Sequence, residues 1–214
     1  MIFGKIEYLN LLPFHIFMKR YTKGSSAKMA MEYKKNVPSA INKAFLRRQV
    51  DAAFISSAVA QKQNFVALGI IAKKEVQSVL VLPSQKTQED SESATSNRLA
   101  KVLHVDGKVI IGDKALRYAL SHNDYIDLAA LWHQKTQLPF VFALLCYHKE
   151  KEQYKKIAKE FTKKEFKIPY YILKKAQKET DIPSKEIIKY LKLISYKIDT
   201  KALKGLKKFY TIKN

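Results

Sequence analysis

The first seventy residues alternate between apolar runs of strand length and apolar positions at helical spacing. Residues 2–9 and 50–55 are runs of the first kind, which predicts strands. Residues 12–21 have apolar side chains three and four positions apart, which predicts a helix. We expect another short strand at 28–33 and a helix from Pro38 to near Arg48, since proline is favoured in a first helical turn. This order predicts a parallel sheet built from βαβ units.

The remainder of the chain continues the alternation and then becomes helical. Residues 64–83 predict consecutive short strands, and the polar stretch 83–90 is a natural crossing between two domains. Beyond it we predict a helix at 99–103, strands at 108–111 and 139–145, and a helix at 127–135. Four helices are then predicted at 150–164, 166–178, 184–196 and 200–210, the last two with Ser184 and Thr200 as caps. We therefore predict a two-lobed α/β protein, with residues 1–77 and about 150–214 in the first lobe and 78–149 in the second.

Composition narrows the classes of function. The chain has 40 Lys+Arg and 19 Asp+Glu, a formal net charge of +21, so nucleic acid is the first partner to consider. The lysines are nevertheless spread along predicted helix faces, and no nucleic-acid-binding motif is present. We expect no nucleic acid, but solvated helix faces or attraction of a small anion. The longest apolar run, 140–147, is too short to span a bilayer, and the N-terminus lacks the pattern of a secretory signal, so we expect a cytoplasmic protein with no membrane partner. Cys146 lies in that apolar run and is predicted to be a buried, inert thiol.

Small polar residues recur at four places where a predicted strand ends and a helix begins. In open α/β sheets this edge is where ligands bind, and hydroxyl and N–H groups at helix N-termini suit carboxylates or phosphates. Each feature alone is also explained by helix capping. Their common placement predicts a cleft between two lobes that holds a small anion. The residues are Asn10, Ser56, Ser57, Ser93, Thr95, Ser96, Gly112 and Asp113.

Several kinds of chemistry have no motif in the chain. Nucleophile elbow, Walker loop, GxGxxG, HExxH and CxxC patterns are missing, and the five histidines share no metal-ligand spacing. His15, one turn beyond Asn10, either faces the cleft or is structural. Metal and nucleotide chemistry are not expected.

Seven segments of the chain carry a resemblance to a known family. They are GKIEYLNLLPF, NVPSAINKAFLRRQVDAAFISS, QSVLVL, SESATSNRLAK, IIGDKAL, DLAALWHQKTQLPFVFALL and YLKLISYKIDTKALKGLKKFY. Together they resemble the chorismate dehydratase family of the futalosine route to menaquinone. The resemblance runs from Gly4 to Tyr210 and implies a type II periplasmic-binding-protein fold that serves as an enzyme. Here only fifteen residues separate Ser96 from Gly112, so we expect a second lobe shortened by about one βα unit, whose exposed edge a homodimer could cover.

The resemblance also implies an activity and the residues for it. The activity is the loss of water from dianionic chorismate to give 3-[(1-carboxyvinyl)oxy]benzoate, without a metal or organic cofactor. Asn10 matches the asparagine of the YLN motif and is expected to be the catalytic residue. The matching substrate-binding residues are Ser56, Ser57, Ser78, Thr95, Ser96 and Asp113, and His15 is added because of its place beside Asn10.

Two expectations keep an alternative: the group that accepts the ring proton, and the class of protein to which the chain belongs. We expect the enolpyruvyl carboxylate of the substrate to take the ring proton, with Asp113 or His15 as the fallback. A non-catalytic solute-binding protein of the same fold is the alternative function, although such a protein should begin with a signal peptide or lipoprotein cysteine.

Overall fold

A computed structural model describes residues 1–24, 32–163 and 167–212 of the chain. Strands and helices alternate through most of it. The strands are β1 (Ile2–Lys5), β2 (Glu32–Lys35), β3 (Ala52–Ser56), β4 (Phe65–Ala72), β5 (Val79–Leu82), β6 (Lys108–Ile111), β7 (Ile126–Asp127), β8 (Phe140–Tyr147) and β9 (Ile194–Lys197). The helices are α1 (Leu12–Gly24), α2 (Pro38–Leu46), α3 (Ser57–Ala60), α4 (Ala94–Leu103), α5 (Gly112–Ser121), α6 (Leu128–Thr136), α7 (Lys151–Thr162), α8 (Tyr170–Thr180), α9 (Ser184–Leu193) and α10 (Thr200–Thr211).

The larger sheet has the strand order β2-β1-β3-β8-β4-β9. β1 pairs in parallel with β2 and β3, as the βαβ pattern predicts. β8 pairs antiparallel with β3 and β4, and β9 pairs antiparallel with β4, so the sheet as a whole is mixed. Of the strand predicted at 28–33, residues 28–31 lie outside the described residues. The strand predicted at 2–9 is shorter, because the hydrogen-bonded ladder ends where Lys5 meets Lys35.

The smaller sheet has the order β6-β5-β7 and is antiparallel throughout. Helices α4, α5 and α6 pack on it. Part of the outer edge of β6 is covered by Gln88, whose carbonyl accepts from Val109 N at 2.9 Å. We call the larger sheet with its helices the large lobe and the smaller sheet with its helices the small lobe. Because β8 returns to the larger sheet, we propose that the second crossing between the lobes lies near residue 138, about ten residues before the predicted boundary.

Two predictions for the C-terminal segment are wrong. The helix predicted at 184–196 ends at Leu193, and residues 194–196 belong to β9, because Ile194 and Ser195 pair with Ala72 and Ile71 of β4. The predicted caps are also displaced. α9 follows Pro183, while the Ser184 hydroxyl bonds to Gln177 Oε1 instead. The cap of α10 is Asp199, whose carboxylate accepts from Ala202 N at 2.8 Å.

One extended apolar core runs through both lobes. Cys146 is fully buried in β8, as predicted, and burial raises the pKa of its thiol. Trp132 of α6 is also fully buried, and its ring lies edge-on to Phe140 at a centroid distance of 5.3 Å. Within the described residues, none of the helices is both long and apolar enough to cross a membrane.

Candidate active site

A cavity lies between the two sheets, where strands of both lobes give way to helices. It measures about 610 Å³, a volume that includes the open space at its mouth. Its apolar lining comes mostly from strand and loop residues, and its polar lining is made of amide and hydroxyl groups. The lining residues are Ile6, Tyr8, Asn10, Leu11, Pro38, Phe54, Ser56, Ile70, Val76, Ser78, Val79, Ser93, Ser96, Ile111, Gly112, Phe142 and Ala143.

Asn10 is held in place by residues from the far end of the chain. It lies in a single 3₁₀ turn, Leu9–Leu11, between β1 and α1. The Tyr196 hydroxyl of β9 donates to the Asn10 carbonyl at 2.7 Å. The Tyr190 hydroxyl donates to Ser78 Oγ at 2.9 Å. Burial raises the pKa of Tyr190, and polar interactions with Ser78 and the Asn10 side chain partly offset this effect. Asn10 and Ser78 therefore meet through a tyrosine of α9.

Ser56, at the end of β3, is fixed by an asparagine of α2. Ser56 N donates to Asn42 Oδ1 at 3.1 Å, and Asn42 Nδ2 donates to Ser56 Oγ at 2.9 Å. Asn42 is itself buried, so its amide has its hydrogen bonds satisfied by Ser56 rather than by water. Because Ser56 Oγ already accepts a hydrogen bond, its own proton is left for a ligand in the cavity.

The small lobe contributes the N-terminal ends of two helices. Ser93 caps α4 by accepting from Ser96 N at 3.1 Å, and the two hydroxyl oxygens lie 2.7 Å apart. Gly112 begins α5 with φ of +67°, a conformation that favours glycine. A Cβ there would lie 2.9 Å from the ring of Tyr8, so the tyrosine packs directly on the glycine. Tyr8 thus reaches the small lobe from the large one.

The electrostatic character of the cavity comes from dipoles rather than from charged side chains. No Lys, Arg, His, Asp or Glu is among the lining residues that the structure describes. Pro38, Ser93 and Gly112 lie at the N-terminal ends of α2, α4 and α5, where unpaired N–H groups and the helix dipole favour an anion. The cavity can therefore hold carboxylates while leaving its polar groups uncharged.

Two of the predicted site residues lie behind the cavity wall. The Ser57 hydroxyl donates to the Val141 carbonyl at 2.5 Å and is fully buried. Thr95 Oγ1 accepts from Ala58 N at 3.0 Å and so joins α4 to α3 across the lobe boundary. Neither lines the cavity, whereas their neighbours Ser56 and Ser96 do.

Asp113 and His15 also lie outside the lining. Asp113 Oδ1 accepts from Leu9 N at 3.2 Å, next to Asn10. Burial raises the pKa of Asp113 to about 6, an effect that the Leu9 hydrogen bond and the Arg117 charge only partly offset. His15 Nε2 lies 2.8 Å from the Ile6 carbonyl and must carry the proton there, since a carbonyl only accepts. Burial lowers the pKa of His15 to about 4. Both groups are thus biased towards their neutral forms.

Four residues of the site were not singled out from the sequence: Tyr8, Asn42, Tyr190 and Tyr196. Tyr190 and Tyr196 are in one of the segments that carry the family resemblance, but their spacing suggested only an amphipathic helix. Tyr8 also bonds through its hydroxyl to Glu92 of the small lobe; burial raises the pKa of Tyr8, and this contact raises it further. No local sequence signal marks such a contact.

The sequence profile of a family described as menaquinone biosynthesis matches residues 1–105 and 99–214 of the chain. The chain belongs to this menaquinone biosynthesis family. A chorismate dehydratase from Campylobacter jejuni subsp. jejuni is 51% identical to the chain over 213 residues, which cover 98% of this chain and 96% of that protein. In the part of this family member that the structure describes, no three His, Cys, Asp or Glu side chains form a group that could hold a metal ion.

Solved structures with the same fold share little sequence with this family member. Protein AF1704 from Archaeoglobus fulgidus has a TM-score of 0.69 at 12% identity, covering 99% of this chain and 95% of that one. The periplasmic aliphatic sulphonate binding protein SsuA from Escherichia coli has a TM-score of 0.54 at 12% identity, covering 98% of this chain and 84% of that one. A Candida albicans protein with the generic periplasmic binding protein fold has a TM-score of 0.51 at 11% identity, covering 100% of this chain and 91% of that one. The predicted periplasmic-binding-protein-like α/β fold is thereby confirmed.

Proposed function

We propose that this chain is a chorismate dehydratase, a hydro-lyase that converts chorismate into 3-[(1-carboxyvinyl)oxy]benzoate and water at the start of the futalosine route to menaquinone. The observation that carries the proposal is the 51% identity to the Campylobacter jejuni chorismate dehydratase over 98% of the chain. The geometry of the cavity is compatible with it, because an uncharged, hydroxyl-rich cleft suits the recognition of a small anion.

Binding of the substrate would divide between the lobes. Chorismate carries two carboxylates. We assign one to the N-terminal end of α4 with Ser93 and Ser96, and the other to Ser56 and Ser78. Helix N-termini and hydroxyl donors favour carboxylates at these positions. The net charge of +21 would also raise the rate at which a dianion reaches the cleft.

In this proposal the elimination breaks one C–H and one C–O bond at neighbouring ring carbons. The carbon that bears the enolpyruvyl ether loses its proton to the enolpyruvyl carboxylate, the C–O bond at C4 breaks, and the departing hydroxyl takes up that proton and leaves as water, so the ring becomes aromatic. Asn10 donates a hydrogen bond to the departing hydroxyl. Its amide cannot act as a base at neutral pH. The protein then acts by holding a reactive conformer and by stabilising the leaving oxygen.

We assign the proton acceptor to the enolpyruvyl carboxylate of the substrate. Two features support this choice over the side chains that were the fallback. Asp113 and His15 are outside the cavity lining, and each is engaged by backbone, Asp113 with Leu9 N and His15 with the Ile6 carbonyl. Asp113→Asn and His15→Ala should therefore retain turnover. Loss of turnover with chorismate binding intact in either variant would reassign the base to that residue.

The experiment is to incubate the purified protein with chorismate and to follow the loss of one water by mass spectrometry. Asn10→Ala should slow the reaction by roughly 10²- to 10³-fold, the cost of removing one aligned donor. Calorimetric titration of the same variant with chorismate separates binding from chemistry. Tight binding without conversion by the unmutated protein would favour a solute-binding protein instead.

A further inference from the structure

Tyr190 is a buried side chain that reaches the back of the cavity from a distant part of the chain. It lies in α9, within the helical C-terminal region, and is 2% exposed. Its hydroxyl donates to Ser78 Oγ at 2.9 Å and interacts electrostatically with the side chain of Asn10. Asn10 and Ser78 both line the cavity, whereas Tyr190 does not. The tyrosine therefore touches the cavity wall from outside.

A second tyrosine of the same segment holds the backbone at this point. Tyr196 of β9 donates from its hydroxyl to the Asn10 carbonyl at 2.7 Å. A phenylalanine at either position would fill nearly the same volume without a polar group to satisfy. The Tyr196 hydroxyl instead bonds to Asn10, and the Tyr190 hydroxyl bonds to Ser78. We name residues 190–196 the tyrosine clamp.

The clamp also sets the direction of the hydrogen bonds. The Tyr190 hydroxyl donates to Ser78 Oγ, which leaves the phenol oxygen as an acceptor that an amide N–H of Asn10 can meet. Burial raises the pKa of Tyr190, which keeps this proton in place. The second N–H and the Oδ1 of Asn10 remain available. Ser78, which accepts from Tyr190, has its own proton free for the cavity.

We propose that Tyr190 and Tyr196 are positioning residues, which fix the Asn10 amide and the Ser78 hydroxyl in the orientation that the substrate requires. The proposal rests on the proposed function for its catalytic consequence. In this proposal the C-terminal segment helps to position the catalytic groups as well as packing on the large lobe. A misplacement of reacting groups by about 1 Å costs on the order of 10²-fold in rate.

The test starts with Tyr190→Phe and Tyr196→Phe, with Tyr154→Phe as the matched control. Tyr154 is also a buried tyrosine, but its hydroxyl contacts Met1 Sδ, in another part of the core. We expect each clamp variant to lower kcat roughly 10- to 100-fold with KM within a few-fold of the original. Tyr154→Phe should leave both constants unchanged. Clamp variants with full kcat would overturn the proposal, and the Tyr196 variant decides if the Tyr190 variant does not fold.

A double-mutant cycle separates positioning from a structural effect. Tyr196 acts on Asn10 alone, so Tyr196→Phe should cost little further in an Asn10→Ala background. If the factors by which the two substitutions lower kcat multiply in the double variant, the proposal is contradicted.

A spectroscopic readout does not depend on turnover. In the ¹⁵N–¹H spectrum, the side-chain amide of Asn10 is assigned by its disappearance in Asn10→Ala. It should shift in Tyr190→Phe and not in Tyr154→Phe, and an unmoved signal would refute the clamp. A protein that fails to convert chorismate while this shift is seen would refute the proposed function and not the geometry of the clamp.

Discussion

Replacement of Asp113 by asparagine should stabilise the protein at neutral pH and have almost no effect in acid. Asp113 lies in the first turn of α5, and its Oδ1 accepts from Leu9 N at 3.2 Å. Asparagine has an oxygen that can keep this bond. What the substitution removes is a negative charge that burial disfavours.

The magnitude follows from the pKa of Asp113. Burial raises it from 3.8 to about 6. Between these values the folded protein holds a proton that the unfolded chain has released, so the free energy of unfolding falls as pH rises through this window. At ~1.36 kcal/mol per pKa unit, the loss is at most about 3 kcal/mol, and it is complete above pH 6. Asp113→Asn should recover it.

The assay is urea unfolding of both proteins at pH 7.5 and at pH 4. We expect the variant to be more stable by up to about 3 kcal/mol at pH 7.5 and by well under about 1 kcal/mol at pH 4. Asp106→Asn, a change at an exposed carboxylate, is the control and should show no such pH-dependent gain. An equal effect of Asp113→Asn at both pH values, or destabilisation at pH 7.5, would refute the reasoning.

Two further substitutions probe the residues around the cleft. His15→Gln should make the free energy of unfolding less sensitive to acid. The pKa of His15 is about 4 in the folded protein against an ordinary 6.5, so the unfolded chain takes up a proton first as pH falls. The free energy of unfolding of the unmutated protein therefore drops through this range, by up to about 3 kcal/mol. Parallel stability curves between pH 7 and 4 in urea unfolding would contradict this. Gly112→Ala should cost about 1–3 kcal/mol and slow chorismate turnover, because φ is +67° and the new Cβ meets the Tyr8 ring. Calorimetry measures the melting temperature of this variant, and a turnover assay measures its activity. An unchanged melting temperature with full activity would contradict the prediction.

The part of the site that sequence reasoning located is the edge where parallel strands end. Asn10 follows β1 and Ser56 is the last residue of β3, and because the two strands are parallel neighbours, their carboxyl ends meet at one edge. Which of two adjacent polar residues faces the cavity was not predictable. Ser56 lines it and Ser57 bonds to β8, because alternate residues at a strand end point in opposite directions.

The contribution of the C-terminal segment could not be deduced from local pattern. Its apolar positions continue a helical period through residue 194, which predicts a helix to 196. Pairing of Ile194 and Ser195 with β4, more than a hundred residues away, makes them a strand instead. That strand places Tyr196 on the Asn10 carbonyl. Long-range pairing overrides local propensity at this point.

The most direct test of the central claim is the mass of what chorismate becomes in the presence of the purified protein. We expect chorismate to be consumed and an aromatic product lighter by one water to accumulate, identical to authentic 3-[(1-carboxyvinyl)oxy]benzoate, with Asn10→Ala slower by roughly 10²-fold or more. Chorismate that binds and is recovered unchanged would contradict the account.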